Sequence, residues 1–347
     1  MCLAFPGSGR NNRPMVVVRS LLRLAALLPV IALASLVPVS GLAQPAFWQG
    51  EWPKTDFSRH SVPFDEIMSG GPPKDGIPAI DEPRFVSTAE MKAKNGLAPS
   101  EPVVALTVNG ESRAYPLRIL IWHEIVNDTL GGVPVTVTYC PLCNSAVAFD
   151  RRVAGRVLDF GTTGKLRRSD LVMYDRQTES WWQQFVGEGI VGAMTGVRLT
   201  MLPARVESFS RFAARAPDGK VLVPTGDVRR DYGRNPYAGY DRATEPFLYR
   251  GDLPKDIPAM AYVLAVGDEA WTLDLLRRKG RIEAGELVIT WESGQNSALD
   301  TAEIARGRDI GNIVVQRRTP KGLVDAVHDL TFAFVFHTFR PGGTIHR

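Results

Sequence analysis

Val133-Pro134-Val135-Thr136-Val137-Thr138-Tyr139-Cys140-Pro141-Leu142-Cys143-Asn144-Ser145-Ala146-Val147-Ala148-Phe149-Asp150 is the stretch from which the chain is best read. Its first half alternates small polar and apolar residues, many of them β-branched, as a strand does. The strand runs straight into Cys140. After Cys143 the residues alternate again, so a hairpin follows the thiol pair and not a helix. A thioredoxin-like site would place its first cysteine at a helix N-terminus, whose dipole lowers the thiol pKa. That device is missing here.

The neighbouring segments are also β-like. Val103 to Val108 and Ser112 to Tyr115 flank Asn109-Gly110, a strong hairpin turn signal. Pro116 suits the first turn of a helix, predicted from Leu117 to about Asn127. Tyr262 onward and the run Leu330 to Phe339 read as strands, which would put His337 in the last one. Leu106, Val108, Glu111 and Leu117 match Leu264, Val266, Glu269 and Leu275 at an offset of 158. Asn144-Ser145-Ala146 matches Asn296-Ser297-Ala298 at an offset of 152. These matches predict a β-rich α+β fold of two related halves, an internal duplication sharing one core. Residues 100–225 would be the first repeat, with the Cys-Pro-Leu-Cys site. Residues 226–347 would be a connection and a second, cysteine-free repeat. Residues 44–99, rich in Pro and Gly, read as an arm without regular structure that packs over the core.

Residues 1–43 read as a secretory signal peptide. Four arginines precede an apolar run from Leu24 to Val39, and Gly41-Leu42-Ala43 supplies a small-residue exit. Removing this segment takes four arginines from the 41 Lys and Arg, leaving 37 against 37 Asp and Glu, so the net charge of +4 falls to zero. No basic excess then supports nucleic acid binding. The expectation is a periplasmic or secreted protein with no stable membrane span after cleavage, and with a periplasmic redox or metal-delivery partner.

Of three cysteines, Cys2 lies in the signal, and Cys140 and Cys143 form the only pair. Such a pair ligates a soft metal, exchanges electrons or closes a small disulfide ring. The Cys-Pro-x-Cys knuckle suits copper or zinc, but no second pair completes four thiolates. The remaining metal ligands are sought in His123, Met173 and His337. Under the redox reading Cys140 attacks and Cys143 resolves, with Asp175 and Arg176 as further catalytic candidates. Arg176 would also offset thiolate charge around a metal. Asp170 and Glu179, on a polar stretch, read as solvated or salt-bridged. In a third reading the cysteines only lock a turn, and a ligand binds near Trp181.

Other motifs fail. His123-Glu124-Ile125-Val126-Asn127 lacks the second histidine of a zinc protease. Asn144 stands where c-type haem attachment needs a histidine. Gly161 to Lys165 lacks the first glycine and the hydroxyl residue of a phosphate loop. No haem, nucleotide or flavin signature occurs.

Arg113-Ala114-Tyr115-Pro116-Leu117, His123 to Asp128, Tyr139 to Cys143, Met173-Tyr174-Asp175-Arg176 and Arg230-Asp231-Tyr232-Gly233 together resemble the bacterial and archaeal domain-of-unknown-function 3179 family. The resemblance runs from about residue 75 to 340. It implies no activity, since the family has none assigned. It does mark His123, Cys140, Cys143, Met173, Asp175 and Arg176 as motif positions. The chain departs from the pattern at Asn144, where glycine is expected, and through residues 205–222.

Overall fold

Alternation identifies strands but leaves their partners open, and here the partners are far apart in the chain. The computed structural model describes residues 43–347 except 225 and 227–229. In it the strands divide into five principal sheets arranged as a five-bladed β-propeller. Blade I has the order Ala204–Ser208, Pro102–Val108, Glu111–Pro116, Lys220–Val223, Arg84–Ser87. Blade II runs Thr200–Leu202, Ser145–Asp150, Val133–Cys140, Ile125–Leu130. Blade III runs Ile67–Ser69, Phe160–Arg167, Asp170–Asp175, Trp181–Gln183, Glu188–Val191. Blade IV is Asp329–Phe332, Tyr262–Val266, Glu269–Thr272, Thr344–His346. Blade V is Arg281–Ala284, Leu287–Glu292, Asn312–Thr319, Gly322–Asp325.

This corrects the expected α+β fold of two related halves sharing one core. The main apolar cluster takes Val104, Val137, Met173, Leu264 and Ile289, one from each of five blades, so the core belongs to no pair of halves. The six helices have six or seven residues each among the described residues, too short to form a helical layer. The expectation failed because sheet membership is decided by non-local pairs. Thr200–Leu202 returns to pair with Ser145–Asp150, and Lys220–Val223 lies parallel to Glu111–Pro116.

Blade stacking explains the central strand. Val135, Val137 and Tyr139 face the main core, and Thr136 and Thr138 are equally buried on the opposite face. Thr138 Oγ1 donates to the Val147 carbonyl at 2.8 Å and accepts from Gln184 Nε2 at 2.8 Å, so neither hydroxyl function needs water. The Asn109-Gly110 turn forms as expected. Both residues have positive φ (48° and 84°), the geometry of a two-residue hairpin.

Three local expectations change. The helix after Pro116 stops at His123 rather than Asn127, because Glu124 turns to φ 60° and Ile125-Val126 enter blade II. The aromatic run near the C-terminus is strand only over Asp329–Phe332. Ala333–Phe339 is helical, so His337 lies on a helix and not in the last strand. The arm is more ordered than predicted: Ile67–Ser69 and Arg84–Ser87 are edge strands of blades III and I. Trp48 and Trp52 of the arm bury their rings against Trp181, with centroids 4.9 and 5.2 Å away. The expected signal segment lies outside the described residues, except Ala43. Among the described residues, no helix is long and apolar enough to cross a membrane.

Candidate metal centre

Cys140 is the last residue of its blade II strand. A turn follows, held by Cys143 N–H to Cys140 O and Asn144 N–H to Pro141 O, both 3.2 Å. Asn144 adopts φ 49°, a left-handed conformation that the expected glycine would take without strain and that asparagine tolerates. Its side chain adds ties that glycine could not make. Nδ2 donates to the Leu330 carbonyl at 2.8 Å, and Oδ1 accepts from the Tyr139 hydroxyl at 3.2 Å. Thr331 Oγ1 donates to the Cys143 carbonyl at 2.7 Å. Ser145 and the Ala146 N–H both bond Asp329, whose carboxyl is pushed up to about 7 by burial. Blade IV therefore holds the knuckle from outside.

Blade III completes the site from the other direction. Arg168 and Ser169 form a two-residue turn with φ 55° and 67°, a conformation uncommon for non-glycine residues. The turn presents the Ser169 carbonyl 3.5 Å from Cys143 Sγ and 3.8 Å from Cys140 Sγ. The next residue, Asp170, accepts from the Cys143 thiol at 3.3 Å through Oδ1. Its other oxygen accepts from Gln183 Nε2 at 2.5 Å and Phe185 N–H at 3.1 Å, which orient the carboxyl. Ligand atoms of Cys140, Cys143 and Asp170 all lie within 4.8 Å of one another.

The cluster is almost dry. Cys140 is 2% exposed, and Cys143 and Asp170 are 0% exposed. The cysteines are free thiols. Burial is the largest cause pushing both thiols above their ordinary range, Cys143 furthest. Burial also raises Asp170 to about 6, against the lowering effect of its hydrogen bonds. Burial thus disfavours the charged form of each group.

Cys140 opens onto a cavity of about 70 Å³. Glu124, Tyr237, Leu142 and Lys165 line it, and Gly70, Pro72 and Ile77 of the arm wall one side. Glu124 is 8% exposed and sits at positive φ where the helix hands over to the strand. Burial, then repulsion from Asp170, raises its carboxyl to about 8.

The other expected site residues lie in different surroundings. His123 bonds Pro78 O through Nδ1 and the Tyr232 hydroxyl through Nε2, both at 2.7 Å. The three-residue ligand group does not include it. Met173 is fully buried between Thr162 and Trp182 on neighbouring strands. His337 is exposed. Asp175 organises a turn, accepting from Thr178 N–H at 2.6 Å and from Trp182 Nε1 at 2.9 Å. Arg176 pairs with Asp81 of the arm rather than with a thiolate. Asp170, expected to be solvated or salt-bridged, is fully buried beside the two thiols. Glu124, Ser169 and Tyr237 were not anticipated. The one signal for Glu124 was its place in an incomplete metalloprotease motif, and nothing in the sequence pointed to the other two.

A propeller-built, thiol- and carboxylate-bearing cluster under an arm-walled cavity is thus the class of site this fold defines. The chain belongs to the family described as "Protein of unknown function (DUF3179)", which matches residues 74–343. No curated protein and no solved structure matches the chain.

Proposed function

We propose that the protein binds a metal ion through Cys140, Cys143 and Asp170. The observation that carries this reading is the convergence of three buried donors from two blades within 4.8 Å. Zinc fits the set better than copper(I): copper(I) prefers sulfur throughout, whereas zinc accepts thiolate with carboxylate. Zn–S bonds of about 2.3 Å and Zn–O bonds of about 2.0–2.2 Å suit donors this close. A dication would also relieve the unfavourable burial, because it favours the ionised form of every group that burial pushes up. The expected setting is the periplasm or the exterior, with a metal-delivery partner.

Thiol–disulfide exchange is supported less. The attacking species is the thiolate, and burial holds both thiols in the protonated form. Ligand binding at Trp181 also has less support, since Trp48, Trp52 and Phe57 of the arm already pack on that ring.

The test is metal loading of the full chain with zinc or copper(I), followed by metal analysis and a thiol count. The expected result is one zinc per chain with both thiols protected, and its loss in Cys140→Ser/Cys143→Ser. Free thiols that take up no metal would overturn the proposal.

A further inference from the structure

The cavity beside Cys140 is lined by a carboxyl that the protein leaves without a hydrogen-bond partner. Among the described residues, no hydrogen bond or ion pair involves the Glu124 carboxyl. The residue is only 8% exposed and lines the cavity. Its oxygens are not among the fully buried polar atoms that lack a partner, so they reach accessible space, where an incoming group can bond them. The local backbone is strained, because Glu124 holds φ 60° as a non-glycine residue. A strained backbone and a carboxyl unpaired by the protein, at an open space next to a candidate metal ligand, mark that residue for function.

We infer that this cavity is an exogenous-ligand subsite, in which a small molecule bonds the metal through one donor atom and hydrogen-bonds Glu124. The inference rests on the metal reading, and names what occupies the position that three protein donors leave open. Zinc sites with three protein ligands and a fourth open position are those that take up water or substrate, whereas structural sites are closed by four. The cavity meets the cluster at Cys140 alone, so access is from one side. At about 70 Å³ the cavity has room for a small ligand. Pro72, Leu142, Leu166 and Leu171 form apolar walls, so a ligand with one polar end and a compact apolar or delocalised remainder fits best. Glu124 is a positioning residue in this arrangement and not a fourth metal ligand.

The experiment uses the full chain loaded with cobalt(II) as a spectroscopic substitute, titrated with azide as the small metal-bonding probe. A thiolate-to-cobalt charge-transfer band is expected first, and it reports the metal reading by itself. Azide is then expected to shift the ligand-field bands. Leu166→Phe, which fills the cavity, should weaken azide binding at least tenfold while the charge-transfer band is unchanged. Glu124→Gln should also weaken azide without altering the cobalt spectrum beforehand. If the charge-transfer band forms but azide shifts nothing in the unaltered chain, the subsite is overturned and the metal reading stands. The subsite is equally overturned if Glu124→Gln changes the cobalt spectrum before azide, because Glu124 then closes the site as a ligand. Absence of any charge-transfer band removes the metal reading and the subsite with it.

Discussion

The Cys143 thiol donates to Asp170 Oδ1 across 3.3 Å, and that contact joins the knuckle of one blade to the hairpin of the next. The donors therefore come together only when blades II and III are packed. Cys143→Ser should reduce zinc affinity by more than the roughly 10- to 100-fold that losing an outer-shell partner costs. Asp170→Asn should also reduce it, but by less, since the amide oxygen keeps a weak donor in place. Competition against a chromophoric chelator would measure both, and unchanged affinity in Cys143→Ser would contradict the assignment.

Buried acids set a pH dependence opposite to the usual one. Glu124 moves from 4.5 to about 8 in the folded protein, and Asp170 and Asp329 move up to about 6 and about 7. A raised folded pKa means that the native state binds the proton more tightly than the unfolded state. The resulting stabilisation is complete below the unfolded pKa and is lost as pH rises through the folded value. Metal-free protein should therefore lose stability between about pH 5 and 8 from these groups. Glu124→Gln should flatten that slope, most clearly from pH 6 to 8. Urea unfolding of the metal-free chain across this range is the measurement, and an unchanged slope would count against the raised Glu124.

The arm should gate thiol access. Tyr174 donates to Asp75 at 2.5 Å, Arg176 pairs with Asp81, and Lys74 pairs with Glu179 at 2.8 Å. These ties hold residues 70–81 along blade III, where Gly70, Pro72 and Ile77 wall the cavity. Arg176→Ala removes a half-exposed pair, so its stability cost should stay under about 1 kcal/mol. Its effect on access should be larger: Cys140 should react several-fold faster with a thiol reagent, as should Tyr174→Phe. Labelling rates equal to those of the unaltered protein would show that these ties do not control the cavity.

Gly164 and Gly155 provide a paired test of the arm's close approach. Both have positive φ, 68° and 73°. A Cβ at Gly164 would lie 1.9 Å from the Pro72 carbonyl oxygen, whereas one at Gly155 would meet nothing within 4 Å. Gly155→Ala should cost about 1–2 kcal/mol, the left-handed backbone penalty alone. Gly164→Ala should cost more and should raise hydrogen exchange around residues 70–76. Equal costs for the two would mean that the arm yields freely at Pro72.

Particular residues show where sequence reading reached and where it stopped. Local rules read the Asn109-Gly110 hairpin and the strand ending at Cys140, because each depends on side chains adjacent in the chain. The same rules missed the stop at His123: the helical pattern continues through Asn127, and only pairing of Ile125 with Thr138 shows why it breaks. They also made Phe332, Phe334 and Phe336 look like one strand, although the last two are helical. Alternating aromatics suit a strand, but here the helix buries them too. Asp170 looked like a solvated acid because its burial is created by Gln183, Phe185 and the knuckle, none of which is its neighbour in sequence.

Spacing alone was enough to locate the thiol pair at a strand end and to rule out a helix-activated redox motif, since both are properties of a few consecutive residues. The division into five blades, the carboxylate beside the thiols and the walled cavity required the folded chain. Those features arise from hydrogen-bonded registers and burial between segments tens of residues apart, and a side chain's surroundings are not written in its own local pattern.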